Sequence, residues 1–355
     1  MQQFEGLLVN RVVWMDLTRF VAILLVVTLH ATDHVKIPKM VDMDSIQFIM
    51  YQTIRILGRI AVPLFFMISG ALVLKAAGNS SPLDFYKKRI PQFIVLLVFY
   101  FYANNLIMNY INHKSISMEV LTENIIHGNL LVGYHLWFMY TIIGLYLVAP
   151  FISKMLMHLT TNEILTYLSI CFALCFLAPS YTMFTGKSPI TSGMGGDFLG
   201  VYIVYFIFGY LVVDRNLFFK TKLSTFTLVS IFAFLSVLVI QIYLRGQGKL
   251  TSGEGFTWYN SPGTLFFSAS VFITLSKVKI NNKSRVSNTL EFLSTSSFCV
   301  FLIHMAALEL VFKRPVVETH SDYINIIVMI LLTYIMCLIY YVIMSKNRIT
   351  RYLVK

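Results

Sequence analysis

The chain is 355 residues long, 57% apolar and only 12% charged, with a formal net charge of +12. A soluble domain carries about twice that charged fraction, and so few polar residues could not cover a soluble surface, so the composition is that of an integral membrane protein. In a soluble chain the positive charge would suggest nucleic acid, but here basic residues in cytoplasmic loops account for it and no nucleic-acid partner is expected.

Ten apolar segments are long enough, or nearly so, to serve as membrane helices. They run over about residues 12–34, 48–75, 90–111, 130–152, 162–180, 198–213, 223–244, 262–277, 289–311 and 323–344, the sixth and eighth being short. The fold class that follows is an all-α integral membrane protein, a bundle of about ten transmembrane helices. With no long polar stretch, the whole of 1–355 reads as a single transmembrane domain. The first segment lacks a small-residue cleavage site after it and reads as a retained anchor. With the amino terminus inside, 17 lysines and arginines fall in inside segments and 8 in outside loops. That bias predicts both termini in the cytoplasm.

The first helix carries Arg19 and His30 within its apolar run. Eleven residues bring them back to within about 20° of one helix face and about 16 Å apart along it. Ionisable groups inside a membrane helix usually face a bundle interior or a water-filled cavity, although snorkelling from the helix ends is the bland alternative. The second helix has Arg55 and Arg59 one turn apart, and Pro63 one turn later predicts a kink. Ser69 and Gly70 offer a small surface for close helix contact. The following loop contains Lys87, Lys88 and Arg89. This cluster is either a topology signal that also attracts anionic membrane lipid, or a place for the phosphates of a nucleotide-like donor.

The fourth helix opens with Tyr134, His135 and Trp137. Two of these are also what an interfacial aromatic belt supplies. Cys171 and Cys175, one turn apart, read as packing residues, and with Cys299 and Cys337 they lack the spacing of a metal site, so no metal is expected. The outside loops containing Asp197 and Glu254, Trp258, Tyr259 and Asn260 combine rings with short polar side chains, which suits a sugar surface but is also generic. The ninth helix has Ser294, Thr295, Ser296 and Ser297 in its inner half, and His304 and Glu309 in its outer half. His304 is equally readable as a structural histidine.

His30, Arg59 with Arg55, His135 and His304 thus fall at matching depth on four helices. A shared polar cavity explains this better than four accidents. Arg19 and the Lys87–Arg89 cluster lie on the opposite side, giving two half-sites joined along the first helix. A histidine can take a proton from an alcohol or be acylated itself, and an arginine can hold an anion or a developing oxyanion.

At these residues the chain resembles the membrane acyltransferase 3 family. Arg19 and His30 look like that family's R-x10-H motif. RIAVPLFFMISG (59–70), YHLWFM (134–139), YFIFGYL (205–211) and FCVFLIH (298–304) resemble family landmarks in the same order. Within the family the chain looks most like the short members that O-acetylate surface glycans, the enterobacterial common antigen O-acetyltransferases among them. One departure is that KKRIPQF lacks the second arginine of the family's cytoplasmic R-x-x-R motif.

The resemblance implies an O-acetyltransferase in the bacterial inner membrane. Its donor would be cytoplasmic acetyl-CoA and its acceptor a cell-surface or lipid-linked glycan. His30, Arg19, Arg59 and His304 then stand as catalytic candidates, with His30 as general base or transient acyl carrier. Arg19, Lys87, Lys88 and Arg89 stand as donor-binding candidates, and His135, Trp137 and Arg55 as acceptor-binding ones. The rival is a transporter or glycan-exporting permease, which intramembrane charge also fits, although no internal repeat is visible.

Overall fold

A membrane helix that carries hydroxyls must satisfy them from its own backbone. The first helix does so. In α1, Val13–His34, the hydroxyls of Thr18, Thr28 and Thr32 each donate to the carbonyl four residues earlier, at 2.8 Å. The computed structural model describes residues 12–34, 43–189, 200–250, 255–313 and 322–354, and among these it is all helix and connection, with no strand. The all-α membrane bundle expected from composition is what forms.

The remaining helices are α2, Ser45–Arg59, and α3, Ala61–Gly78, then α4, Pro82–Ile111, and the short α5, Met118–Ile126. There follow α6, Trp137–His158; α7, Thr161–Phe172; and α8, Ala178–Thr185. The last helices are α9, Val201–Val213; α10, Leu223–Gly246; α11, Pro262–Ser276; α12, Arg285–Phe312; α13, Asp322–Lys346; and the terminal turn α14, Arg348–Arg351. Eight runs of described helix are long and apolar enough to cross a membrane. The two segments that are short in sequence, α9 and α11, stay short at 13 and 15 residues. Both pack against α3 inside the bundle, and α11 also packs against α1.

The second expected helix is broken in two. Pro63 has no N–H to give the carbonyl of Arg59, so the α-helical ladder lapses there. The N–H of Ile60 turns back to Gly58, and the ladder resumes with Leu64 donating to Ile60 at 3.0 Å. The expected kink therefore falls immediately after Arg59. A second irregularity has the same origin. Pro179 follows a single π turn, Ala173–Leu177, which joins α7 to α8. Cys175 lies within that turn and Cys171 just before it, both buried as packing residues, and none of the four cysteines is in a disulfide.

Two expectations change. The basic run Lys87–Arg89 is not in a loop: α4 begins at Pro82, capped by the Ser81 hydroxyl accepting from the N–H of Asp84, and the run occupies its second turn. The fourth segment does not enter as α-helix. It opens as a tight 3-10 stretch, Leu131–Leu136, because Leu131 has a positive φ of 51° and Gly133 leaves helical geometry.

The outer faces suit lipid. On α10, Leu228, Ile231, Phe232, Leu235 and Val239 are exposed at helical spacing, and on α13 Ile327, Leu331, Ile335, Ile339 and Ile343 repeat every four residues. Inside, α1 lies against α2, α3, α11, α12 and α13. The tightest approach is between α3 and α9, where Gly70 faces the carbonyl of Phe206 and Gly209 faces the carbonyl of Met67. A Cβ on either glycine would overlap the facing backbone, so small residues set this crossing.

Gly70→Leu and Gly209→Leu are therefore expected to force the two helices apart, at a cost of at least about 1–3 kcal/mol. Thermal melting of the purified protein in detergent checks this. Gly144→Leu, which meets open space, should leave the melting curve where it is.

Candidate functional site

One hydrogen bond and one ring contact fix α1 against α12. The guanidinium of Arg19 donates to the hydroxyl of Ser294 at 3.3 Å, and to Asp16 on its own helix at the same distance. Further along, the rings of His30 and His304 lie 5.2 Å apart. Eleven residues separate the two anchors on α1 and ten on α12, which is about 16 Å and about 15 Å of helix. The two helices thus run in the same direction, side by side and in register, as expected of a first and a ninth span. Both residues of the first helix thus reach a residue on another helix.

At the Arg19 end a cavity of about 450 Å³ opens between α1, α3, α4, α6 and α12. Arg19 and Arg89 both line it, with Ser69, Tyr146 and Ser297 as further polar walls and phenylalanines making up much of the rest. All three residues of the basic run are exposed, and of the three Arg89 lines this space while Lys87 and Lys88 do not. Two guanidinium groups on one cavity can hold a phosphate or carboxylate through several directed N–H donors.

At the His30 end three histidines join. His304 is fully buried, with its ring 5.2 Å from His30 and 4.9 Å from His135. Its Nδ1 sits 2.7 Å from the carbonyl of Phe301. A carbonyl only accepts, so Nδ1 carries the proton of the neutral ring and Nε2 presents a lone pair. His135 is held on the 3-10 stretch with Nε2 3.4 Å from the carbonyl of Leu302. Its Nδ1 has no hydrogen-bond partner among the described residues. His30 is oriented from its Nδ1 side. That atom lies 3.3 Å from the Tyr134 hydroxyl and 3.8 Å from a carboxylate oxygen of Asp33. The other oxygen of Asp33 takes a 2.7 Å hydrogen bond from Arg55, which also donates to Tyr51. In space the chain of contacts runs Arg55, Asp33, His30, His304, His135, across four elements.

Arg59 sits at the kink in an aromatic box. It lies 4.6 Å over the ring of Trp258 and 5.5 Å from that of Tyr259, and it donates to the Tyr259 hydroxyl at 3.4 Å. Trp137 closes the box through Tyr259 and Tyr202, with ring separations of 5.7 and 5.4 Å. Trp258 keeps 39% of its surface exposed, so the box has an open wall. The Trp258–Tyr259 turn is tied down from behind. Buried Gln241 on α10 accepts from the N–H of Phe256 and donates to Gln52 on α2, and Tyr205 donates to the carbonyl of Tyr259.

Every ionisable group that the sequence singles out at this depth is therefore found in a polar contact or a ring contact here. Asp197 and Glu254 lie outside the described residues. Sequence reasoning misses Asp33, although its place three residues after His30 on one helix face is a usable signal. The tie from Gln241 to Gln52 has no such signal, since 189 residues separate the pair. Among the described residues no group of histidine, cysteine and acidic side chains could hold a metal ion.

A family model described as an acyltransferase domain matches residues 12–345. Comparisons with curated proteins and with solved structures returned no match.

Gln241→Leu removes the acceptor for Phe256 and the donor to Gln52 in a buried place, at an expected cost of about 1–3 kcal/mol. The check is thermal melting beside Thr227→Ala on the exposed face of the same helix, which should stay within about 0.5 kcal/mol of the parent protein.

Proposed function

The chain belongs to the acyltransferase family and is a multi-pass membrane acyltransferase, and on that premise we propose that it is an O-acetyltransferase. It takes an acetyl group from cytoplasmic acetyl-CoA and passes it to a hydroxyl of a cell-surface or lipid-linked polysaccharide. In this reading it sits in a bacterial inner membrane with both termini in the cytoplasm. Its acceptor is of the kind modified by the enterobacterial common antigen O-acetyltransferases. The observation that carries the reading is that α1 and α12 connect an arginine-lined cavity to a histidine cluster within one bundle.

Acetyl-CoA docks with its phosphates toward Arg19 and Arg89, and Lys87 and Lys88 add positive potential on the exposed side of the same α4 turn. The pantetheine arm extends along the cavity and presents the thioester carbonyl toward His30. The sugar hydroxyl approaches from the opposite end, across Trp137, Trp258 and Tyr134, whose rings suit the apolar face of a sugar. His135 and Arg55 help hold it there. His30 removes the hydroxyl proton as oxygen attacks the thioester carbon. The tetrahedral oxyanion gains from the nearby positive charge of Arg59. As the carbon–sulfur bond breaks, the thiolate of CoA takes that proton back from His30, leaving an acetyl ester and free CoA.

General-base action suits the site better than a lasting acyl-histidine. Tyr134 and Asp33 hold His30 from its Nδ1 side, the arrangement by which a third group orients a base. His304 lies against the His30 ring, where its second ring nitrogen can relay the proton. Arg55 neutralises Asp33 and keeps its carboxylate in place.

The test is CoA release by the protein in lipid nanodiscs with acetyl-CoA, with and without lipid-linked bacterial glycans. His30→Gln is expected to lower glycan-dependent release by at least about 10²-fold at equal folded amount, and Asp33→Asn by less. A hydroxylamine-labile acetyl adduct on His30 would replace the general base by an acyl carrier. No CoA release by folded parent protein with any donor and glycan would leave the permease as the reading.

A further inference from the structure

Along α12, phenylalanines stand between the arginine-lined cavity and the histidine cluster. Ser294, at the level of Arg19, is followed by Phe298, Phe301 and His304 at three-residue intervals after one further turn. Phe298 and Phe301 line the cavity, and Phe301 is the last residue of α12 to do so. Its ring then lies 5.7 Å from that of His135 and 6.1 Å from that of His304, and its carbonyl accepts from His304. Phe138, on α6, meets it at 5.3 Å and also lines the cavity. Both rings are more than nine-tenths buried. The two rings thus stand between the arginine-lined cavity and the histidines.

We propose that Phe301 and Phe138 form a collar that selects the acyl group, passing a small neutral acyl such as acetyl and holding back branched or carboxylate-bearing ones. The inference rests on the transferase reading above and adds its specificity determinant. Two physical effects act at the collar. A branched acyl group is wider than the unbranched aminoethylthiol end of pantetheine directly behind it, and packed rings of a protein interior resist displacement even by one methyl. A carboxylate would have to shed water against phenyl faces that offer it no hydrogen bond. An unbranched acetyl thioester presents neither obstacle and is about as slender as the aminoethylthiol segment that follows.

The collar is tested with Phe301→Leu and Phe138→Leu, which shorten each side without opening a large void, in nanodiscs with glycan. CoA release is measured from acetyl-, isobutyryl- and succinyl-CoA, and the affinity for free CoA is measured by calorimetry to show that the donor cavity is intact. Each variant is expected to raise the isobutyryl-to-acetyl rate ratio by about tenfold or more over the parent, with the succinyl-to-acetyl ratio rising in the same direction. Variants that bind CoA normally yet keep the parent's ratios, or that slow all three donors equally, would overturn the collar and leave Phe301 as packing for His304. Parent protein that releases CoA from none of the donors would overturn the transferase reading, and the collar with it.

Discussion

An arginine and a histidine inside one apolar helix must each find a partner before the helix is tenable in a membrane. In this protein both find it on α12, Arg19 at Ser294 and His30 at His304. That double attachment fixes the direction and the register of α12 against α1. Because α1 also lies against α2, α3, α11 and α13, the rest of the bundle is built around a polar stripe whose two ends are spoken for. The same requirement explains Asp33, whose charge would be costly beside lipid without the 2.7 Å contact from Arg55.

Two features of backbone rather than side chain bring the remaining groups to that stripe. Pro63 interrupts the ladder after Arg59, so the arginines of α2 are carried on a helix whose course is separate from α3. Gly70 and Gly209 let α3 and α9 approach until each meets the other's carbonyls. This close crossing seats Phe206 and Tyr205 in the core, and Tyr205 in turn holds the carbonyl of Tyr259 in the aromatic box. A glycine contact is thus tied, through one tyrosine, to the surroundings of Arg59.

The two ends of the stripe differ in chemistry as a two-substrate reaction would require. One end is a cavity with two guanidinium groups, suited to a charged carrier. The other is a set of imidazoles and rings beside a partly exposed tryptophan, suited to a neutral hydroxylic acceptor. Between them stand phenylalanines, which add no charge and leave little room. In the proposed reaction the arginines hold the phosphates of the carrier at one end, and the rings between select for the shape of what it bears.

Much of this is legible in the amino-acid sequence. Composition and the lengths of the apolar segments determine an all-α membrane bundle, since lipid leaves a helix as the way for such segments to satisfy their backbone. The periodicity of one helix places Arg19 and His30 on a single face, and Pro63 announces its kink, because both follow from local backbone geometry. Tertiary structure alone decides which groups meet. That His304 bridges His30 and His135, that Arg89 rather than Lys87 or Lys88 reaches the cavity, and that Gln241 ties Gln52 to the Trp258 turn depend on helix rotation and crossing. Those are set by packing between segments distant in the chain, and a single sequence records each helix's faces but not the neighbour that each face meets.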